Sequence, residues 1–205
     1  MTANIITLAR LFLTFLIITL FGKNIFIDTA AIVTIALIFI LDAVDGYVAR
    51  RTHTTSLFGA VFDIAADRII ENVFWIYFAV NDIIHFWMPI AVLTRGFTTD
   101  AIRSFAISND NAPFEMMTRR WTRALTSSRI SRFISGASKM CAFCAMAVLR
   151  MLQSYELFPQ HLETIQTGTH ILATTAVVIC LLRGVPVLMD GITHIQPTLK
   201  HHISS

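Results

Sequence analysis

An all-α integral membrane protein, a bundle of six transmembrane helices, is the fold this sequence predicts, and three observations predict it. Hydrophobic residues make up 55% of the 205-residue chain and charged residues only 14%, with a mean hydropathy of +0.66; soluble domains carry about 25% charged residues. The apolar residues gather into six runs, each of a length that crosses a hydrocarbon core needing about 20 helical residues. Basic residues gather between the runs, where they set orientation. The formal charge is a modest +3, and no nucleic-acid partner is expected.

Residues 5–22, apolar apart from threonines and Arg10, read as the first span. A cleaved signal peptide is the alternative, but the run is long for one and no small-residue cleavage site follows it. Residues 30–48 form the second span, with Asp42 and Asp45 in its last two turns. Residues 57–80 form the third, which starts just before Gly59 and ends near Phe74, Trp75, Tyr77 and Phe78. Residues 83–107 form the fourth, interrupted by Arg95, Asp100 and Arg103. A polar, arginine-rich stretch over 108–133 follows, with a turn expected at 109–113 and an interfacial helix at 115–129. The fifth span is 134–152, a connector containing Pro159 covers 153–164, and the sixth span is 165–189.

Trp75, Trp87 and Trp121 read as aromatics at the bilayer interface, and Arg150 as an interfacial anchor. Cys141, Cys144 and Cys180 all fall in apolar runs. A lone C-x-x-C without a second pair predicts helix packing rather than a zinc or redox role. With no internal repeat and no accessory domain, residues 1–205 read as a single domain.

Six spans put both termini on one side of the membrane, together with Arg50, Arg51, Arg119, Arg120, Arg123, Arg129, Arg132 and Lys200. The opposite loops offer mainly Lys23 against Asp28, Asp82, Glu156 and Glu163. Basic excess marks the inner side, so the termini are expected in the cytoplasm and the protein in the cell's inner membrane.

The stretch from Asp42 to Asp67 sets four aspartates among apolar runs, where an unpaired charge costs roughly 3 kcal/mol or more. Asp42, Asp45, Gly46 and Ala49 recur at i, i+3, i+4 and i+7 and share one helix face; Gly59, Asp63 and Asp67 recur at i, i+4 and i+8 and form a second stripe. The polar segment 50–56 turns the chain between them, so two antiparallel helices bring the four carboxylates together. Clustered carboxylates repel one another without a cation, and all-oxygen donors select Mg²⁺, Mn²⁺ or Ca²⁺ over zinc. A pair of divalent ions is the natural occupant. The two glycines leave room for a flat or phosphorylated group to approach the backbone. These carboxylates lie at the end of both helices that faces the cytoplasm, which predicts a cytoplasm-facing intramembrane cavity as the active site.

Asp42-x-x-Asp45-Gly46-x-x-Ala49-Arg50, eight further residues, and then Gly59-x-x-x-Asp63-x-x-x-Asp67 resembles the complete signature of the CDP-alcohol phosphotransferases, with every motif position filled. Leu93-Thr94-Arg95 with Asp100 to Arg103, Ser135-Gly136-Ala137-Ser138-Lys139, and the opening Asn4 to Arg10 are similar to the phosphatidylglycerophosphate synthase branch of that family.

The resemblance implies transfer of a phosphatidyl group from a CDP-linked lipid such as CDP-diacylglycerol to an alcohol, with release of CMP, in phospholipid synthesis. It implies two Mg²⁺ or Mn²⁺ ions on Asp42, Asp45, Asp63 and Asp67, with Asp67 the general base. It implies that Asp42, Gly46, Ala49, Arg50 and Gly59 receive the nucleotide, and that the enzyme is a homodimer. A phosphorylated acceptor, with glycerol 3-phosphate the first choice, would meet Arg95, Arg103 and Lys139, whose cationic groups suit phosphate. Arg183 is either a further contact of this kind, an interfacial side chain, or a partner of Asp190. Ala137 stands where the branch has its first lysine. That leaves inositol phosphate, another polyol phosphate or phosphatidylglycerol as alternative acceptors. An ion or proton transporter would explain intramembrane carboxylates, but not two glycines and an arginine at fixed offsets from them.

Overall fold

The computed structural model describes residues 2–52, 57–108 and 128–203; within its helices the side chains of residues 2–4, 43–52, 57, 58, 60, 103, 105–108, 129 and 190–203 are outside that description. The expected turn over 109–113, nearly all of the interfacial helix over 115–129, and Trp121 therefore lie outside the described residues. Those residues contain no strand. They form α1 (Thr2–Leu20), α2 (Ile25–Thr52), α3 (Leu57–Val80), α4 (Trp87–Ser108), α5 (Arg129–Ser154) and α6 (Leu162–Ile203), with one 3-10 turn, Pro159–His161, before the last.

Among the described residues, three stretches are long and apolar enough to cross a membrane: Ile25–Asp42, Ile130–Ser154 and Pro159–Met189. Ile5–Leu20 is a shorter apolar helix. Helices α3 and α4 are interrupted by charge, the first by Asp63, Asp67, Arg68 and Glu71, the second by Arg95, Asp100 and Arg103.

Helix ends follow capping chemistry rather than hydropathy. Asn24 Oδ1 accepts the Ile27 N–H at 2.8 Å, so α2 starts ahead of its apolar run. Ser128 Oγ accepts the Ser131 N–H at 3.1 Å and does the same for α5. After α3, Asp82 takes a left-handed φ of 57° and the Ile83 N–H reaches the Phe78 carbonyl at 3.0 Å. This is a Schellman stop, and it delays the fourth helix from the expected residue 83 to Trp87. Helix α6 runs beyond the apolar segment to Ile203. Hydropathy reports where a helix leaves an apolar medium, and the hydrogen-bond ladder does not have to end there.

The chain divides into two compact units, Met1–Pro89 with Ser138–Thr174, and Ile90–Ala137 with Thr175–Ser205. In the first, α1 packs on α2 and α3. An aromatic cluster joins α2, α3 and α5: Phe143 lies 5.4 Å from both Phe39 and Phe74, and 5.0 Å edge-on from Trp75. Trp75 is therefore core, at 1% exposure, and not an interface aromatic. A large ring that finds an edge-to-face partner gains more from burial than from a headgroup. Trp87 is exposed.

The α1–α2 turn is held by a buried acid. Gly22, at a φ of 90° that only glycine adopts readily, donates its N–H to Asp28 Oδ1 at 2.7 Å. Asp28 is fully buried. Burial, together with the neighbouring Asp28 carboxylate, raises the Tyr155 phenol above its ordinary value, so Tyr155 stays protonated beside it.

In the second unit, the buried Thr99 returns its hydroxyl to the Arg95 and Gly96 carbonyls at 2.9 Å each. Gly184 of α6 lies against the Arg95 side chain. The cysteines are free thiols.

Candidate active site

Helix α1 contributes a polar stripe to an otherwise apolar surface. Thr7, Arg10 and Thr14 recur at i, i+3 and i+7, so they share one face, and all three are buried. Thr14 returns its hydroxyl to the Arg10 carbonyl at 2.8 Å, which satisfies it within the helix. Thr7 donates to Asp63 Oδ1 at 3.2 Å.

Arg10 meets three aspartates from two other helices. Its Nη1 lies 2.9 Å from Asp42 Oδ1 and 3.7 Å from Asp63 Oδ1, and its Nη2 donates to Asp67 Oδ1 at 2.9 Å. Only the Asp67 contact is a directed hydrogen bond; the Nη1 contacts are ion pairs whose N–H direction is off line. The guanidinium is 2% exposed, whereas the Asp42, Asp63 and Asp67 side chains are 39%, 43% and 42% exposed. The cation is thus sealed beneath and the carboxylates open outward.

Each of Asp42, Asp63 and Asp67 offers an oxygen within 4.8 Å of the other two. Three carboxylates share one guanidinium, so the acids exceed their internal cation. Hard, partly exposed oxygen donors in surplus of their internal cation fit a metal of the Mg²⁺ or Mn²⁺ class.

Glu71, one turn beyond Asp67 on α3, is also buried. Its partners are Lys139 of α5 at 2.7 Å and Arg68, three residues back on α3, at 3.9 Å, while Arg10 is engaged by the aspartates. Lys139, expected at the acceptor phosphate, is thereby held next to the aspartate stripe.

Asp42, Asp63 and Asp67 are thus brought together as their spacing predicts. Asp45, Gly46, Ala49 and Arg50 follow Asp42 on the uninterrupted α2, but their side chains lie outside the described residues, as does that of Arg103. Gly59 sits in the first turn of α3, two turns ahead of Asp67. Arg95 and Arg183 belong to the second unit, on α4 and α6. Arg10 is the functional residue that the motif spacing misses. Its signal was a lone arginine flanked by threonines at helical spacing inside an apolar run.

Residues 1–182 match the family model for CDP-alcohol phosphatidyltransferase. The chain belongs to this family. Its apolar helices and its family together make it a membrane protein. The curated CDP-diacylglycerol--glycerol-3-phosphate 3-phosphatidyltransferase of Mycoplasma genitalium is 37% identical to this chain over 67 residues. That match covers 33% of this chain and 28% of the relative.

Proposed function

We propose that this CDP-alcohol phosphatidyltransferase moves a phosphatidyl group from a CDP-linked lipid, CDP-diacylglycerol, to glycerol 3-phosphate and releases CMP in phospholipid synthesis. The observation that carries the reading is the Arg10-centred triad of Asp42, Asp63 and Asp67, which leaves an open, negatively charged face in a chain of this family. The similarity to the Mycoplasma genitalium protein supports glycerol 3-phosphate as the acceptor.

Asp42, Asp45, Asp63 and Asp67 would hold two Mg²⁺ or Mn²⁺ ions, which when bound supply charge neutralisation to the donor pyrophosphate and the leaving CMP phosphate. The chain's own groups do the rest. Asp67, oriented through one oxygen by Arg10, uses the other to take the acceptor hydroxyl proton. The hydroxyl oxygen forms a bond to the phosphatidyl phosphorus as the bond from that phosphorus to CMP breaks, and CMP leaves with the electron pair. Arg10 fixes Asp42 and Asp67 relative to one another throughout.

Gly46, Ala49 and Gly59 leave room for the nucleotide, and Arg50 contacts a phosphate. Arg95, Arg103, Lys139 and Arg183 recognise the acceptor phosphate. The protein works as a homodimer in the inner membrane, as one catalytic domain over residues 1–205, with six spans and with the termini and the site facing the cytoplasm.

Ala137 in place of a lysine, and the engagement of Lys139 by Glu71, favour a second reading in which inositol phosphate or another polyol phosphate is the acceptor. The test is purified protein with CDP-diacylglycerol and a panel of acceptors, read by CMP release. Release that depends on glycerol 3-phosphate is expected. Release with no acceptor in the panel, or ion flux without CMP, sinks the reading.

A further inference from the structure

Glycines on one helix of this protein meet different surroundings. A Cβ built at Gly168 of α6 would have nothing within 4 Å, and the same holds at Gly136 of α5. At Gly184 it would lie 2.8 Å from Arg95 Cγ, 2.9 Å from Arg95 Nε and 3.4 Å from Arg95 Cδ. Real Cβ atoms do not approach heavy atoms under 3.0 Å, so any side chain there forces Arg95 to move. The nearest atom is Cγ, one bond out from the Arg95 Cβ, so relief takes a change of χ1 that carries the whole guanidinium to another rotamer, or a shift of the two helices.

Arg95 has reason to be held. Its Nε is buried and has no hydrogen-bond partner among the described residues. A guanidinium in an apolar helix is costly and is retained for what it pairs with or binds. Its bidentate fork suits phosphate only when the plane of the group is fixed. The bare backbone of Gly184 supplies a flat surface on which the Cγ–Nε segment lies.

We propose that Gly184 is a positioning residue, present so that the Arg95 side chain can lie across α6 with its guanidinium aimed for an anionic phosphate. This rests on the reading of Arg95 as an acceptor-phosphate ligand and adds to it the residue that sets the geometry. Gly184 touches no substrate; it acts through Arg95.

The test compares wild type, Gly184→Ala, Gly168→Ala, Arg95→Ala and the Gly184→Ala/Arg95→Ala double variant, in CMP release from CDP-diacylglycerol with glycerol 3-phosphate varied. Gly184→Ala is expected to raise the KM for glycerol 3-phosphate about tenfold, the worth of one charge-assisted hydrogen bond, with kcat and the donor KM little changed. Gly168→Ala stays at wild-type values. Arg95→Ala raises the acceptor KM at least as far, and adding Gly184→Ala to it changes nothing more.

If Arg95→Ala raises the acceptor KM while Gly184→Ala does not, the positioning role is wrong and the phosphate reading survives. If Arg95→Ala leaves that KM unchanged, the phosphate reading itself fails. If Gly184→Ala folds poorly, the double variant decides: recovery of its thermal midpoint on removing the Arg95 side chain supports the contact, and no recovery overturns it.

Discussion

Two acidic sites in the first unit, both built on α2, are handled in opposite ways. Asp28 is fully buried, accepts the Gly22 N–H at 2.7 Å and has the Tyr155 phenol beside it, so its charge is spent on closing a turn. Asp42, with Asp63 and Asp67, is 39–43% exposed and shares a single guanidinium. The first is a solitary buried acid with one oxygen on a backbone N–H and a protonated phenol beside it; the second is a surplus of acids held open. A buried carboxylate tied to a turn serves the fold, whereas partly exposed carboxylates in excess of their internal cation could take up an external one.

The comparison breaks most sharply on metal removal. Chelation should abolish CMP release, with Mg²⁺ or Mn²⁺ restoring it and Zn²⁺ failing to, as all-oxygen ligands require. Activity that survives EDTA would mean the open acids need no cation.

Next in size are the open acids themselves. Asp67→Asn should lower single-turnover CMP release by roughly 10²–10⁴-fold while donor affinity holds, the expected worth of a general base. Asp42→Asn should lose donor affinity and turnover together. Equal loss of donor affinity in both variants would make Asp67 chiefly a metal ligand.

Arg10→Met removes the internal cation and leaves three carboxylates facing one another. In metal-free protein this should cost roughly 1–3 kcal/mol, less than a fully buried pair because the acids reach solvent. Saturating Mg²⁺ should then raise the thermal midpoint of Arg10→Met more than that of wild type. An equal shift in both would show that Arg10 does not offset the acids.

The smallest effect is expected at the closed acid. Asp28→Ala leaves the Gly22 N–H without its acceptor and should lower stability by about 1–2 kcal/mol in a thermal melt, with the KM values of the folded enzyme unchanged. A catalytic defect at constant stability would erase the distinction between the two sites.

Much of this protein follows from local rules that a sequence carries in full. A helix advances by about 100° per residue, so the spacing of Asp42 with Asp45 and of Asp63 with Asp67 sets which residues share a face before any packing is known. The same local physics made the described residues helical and placed α3 at residues 57–80, and the apolar composition marked a membrane protein. What the tertiary structure alone decided are the partners between helices. Arg10 meets Asp67 from 57 residues away and Lys139 meets Glu71 from 68 away. Trp75 is withdrawn into a cluster around Phe143, and Gly184 lies under Arg95. Such pairs depend on helix rotation and crossing, which distant segments set together, and no period within one helix encodes them.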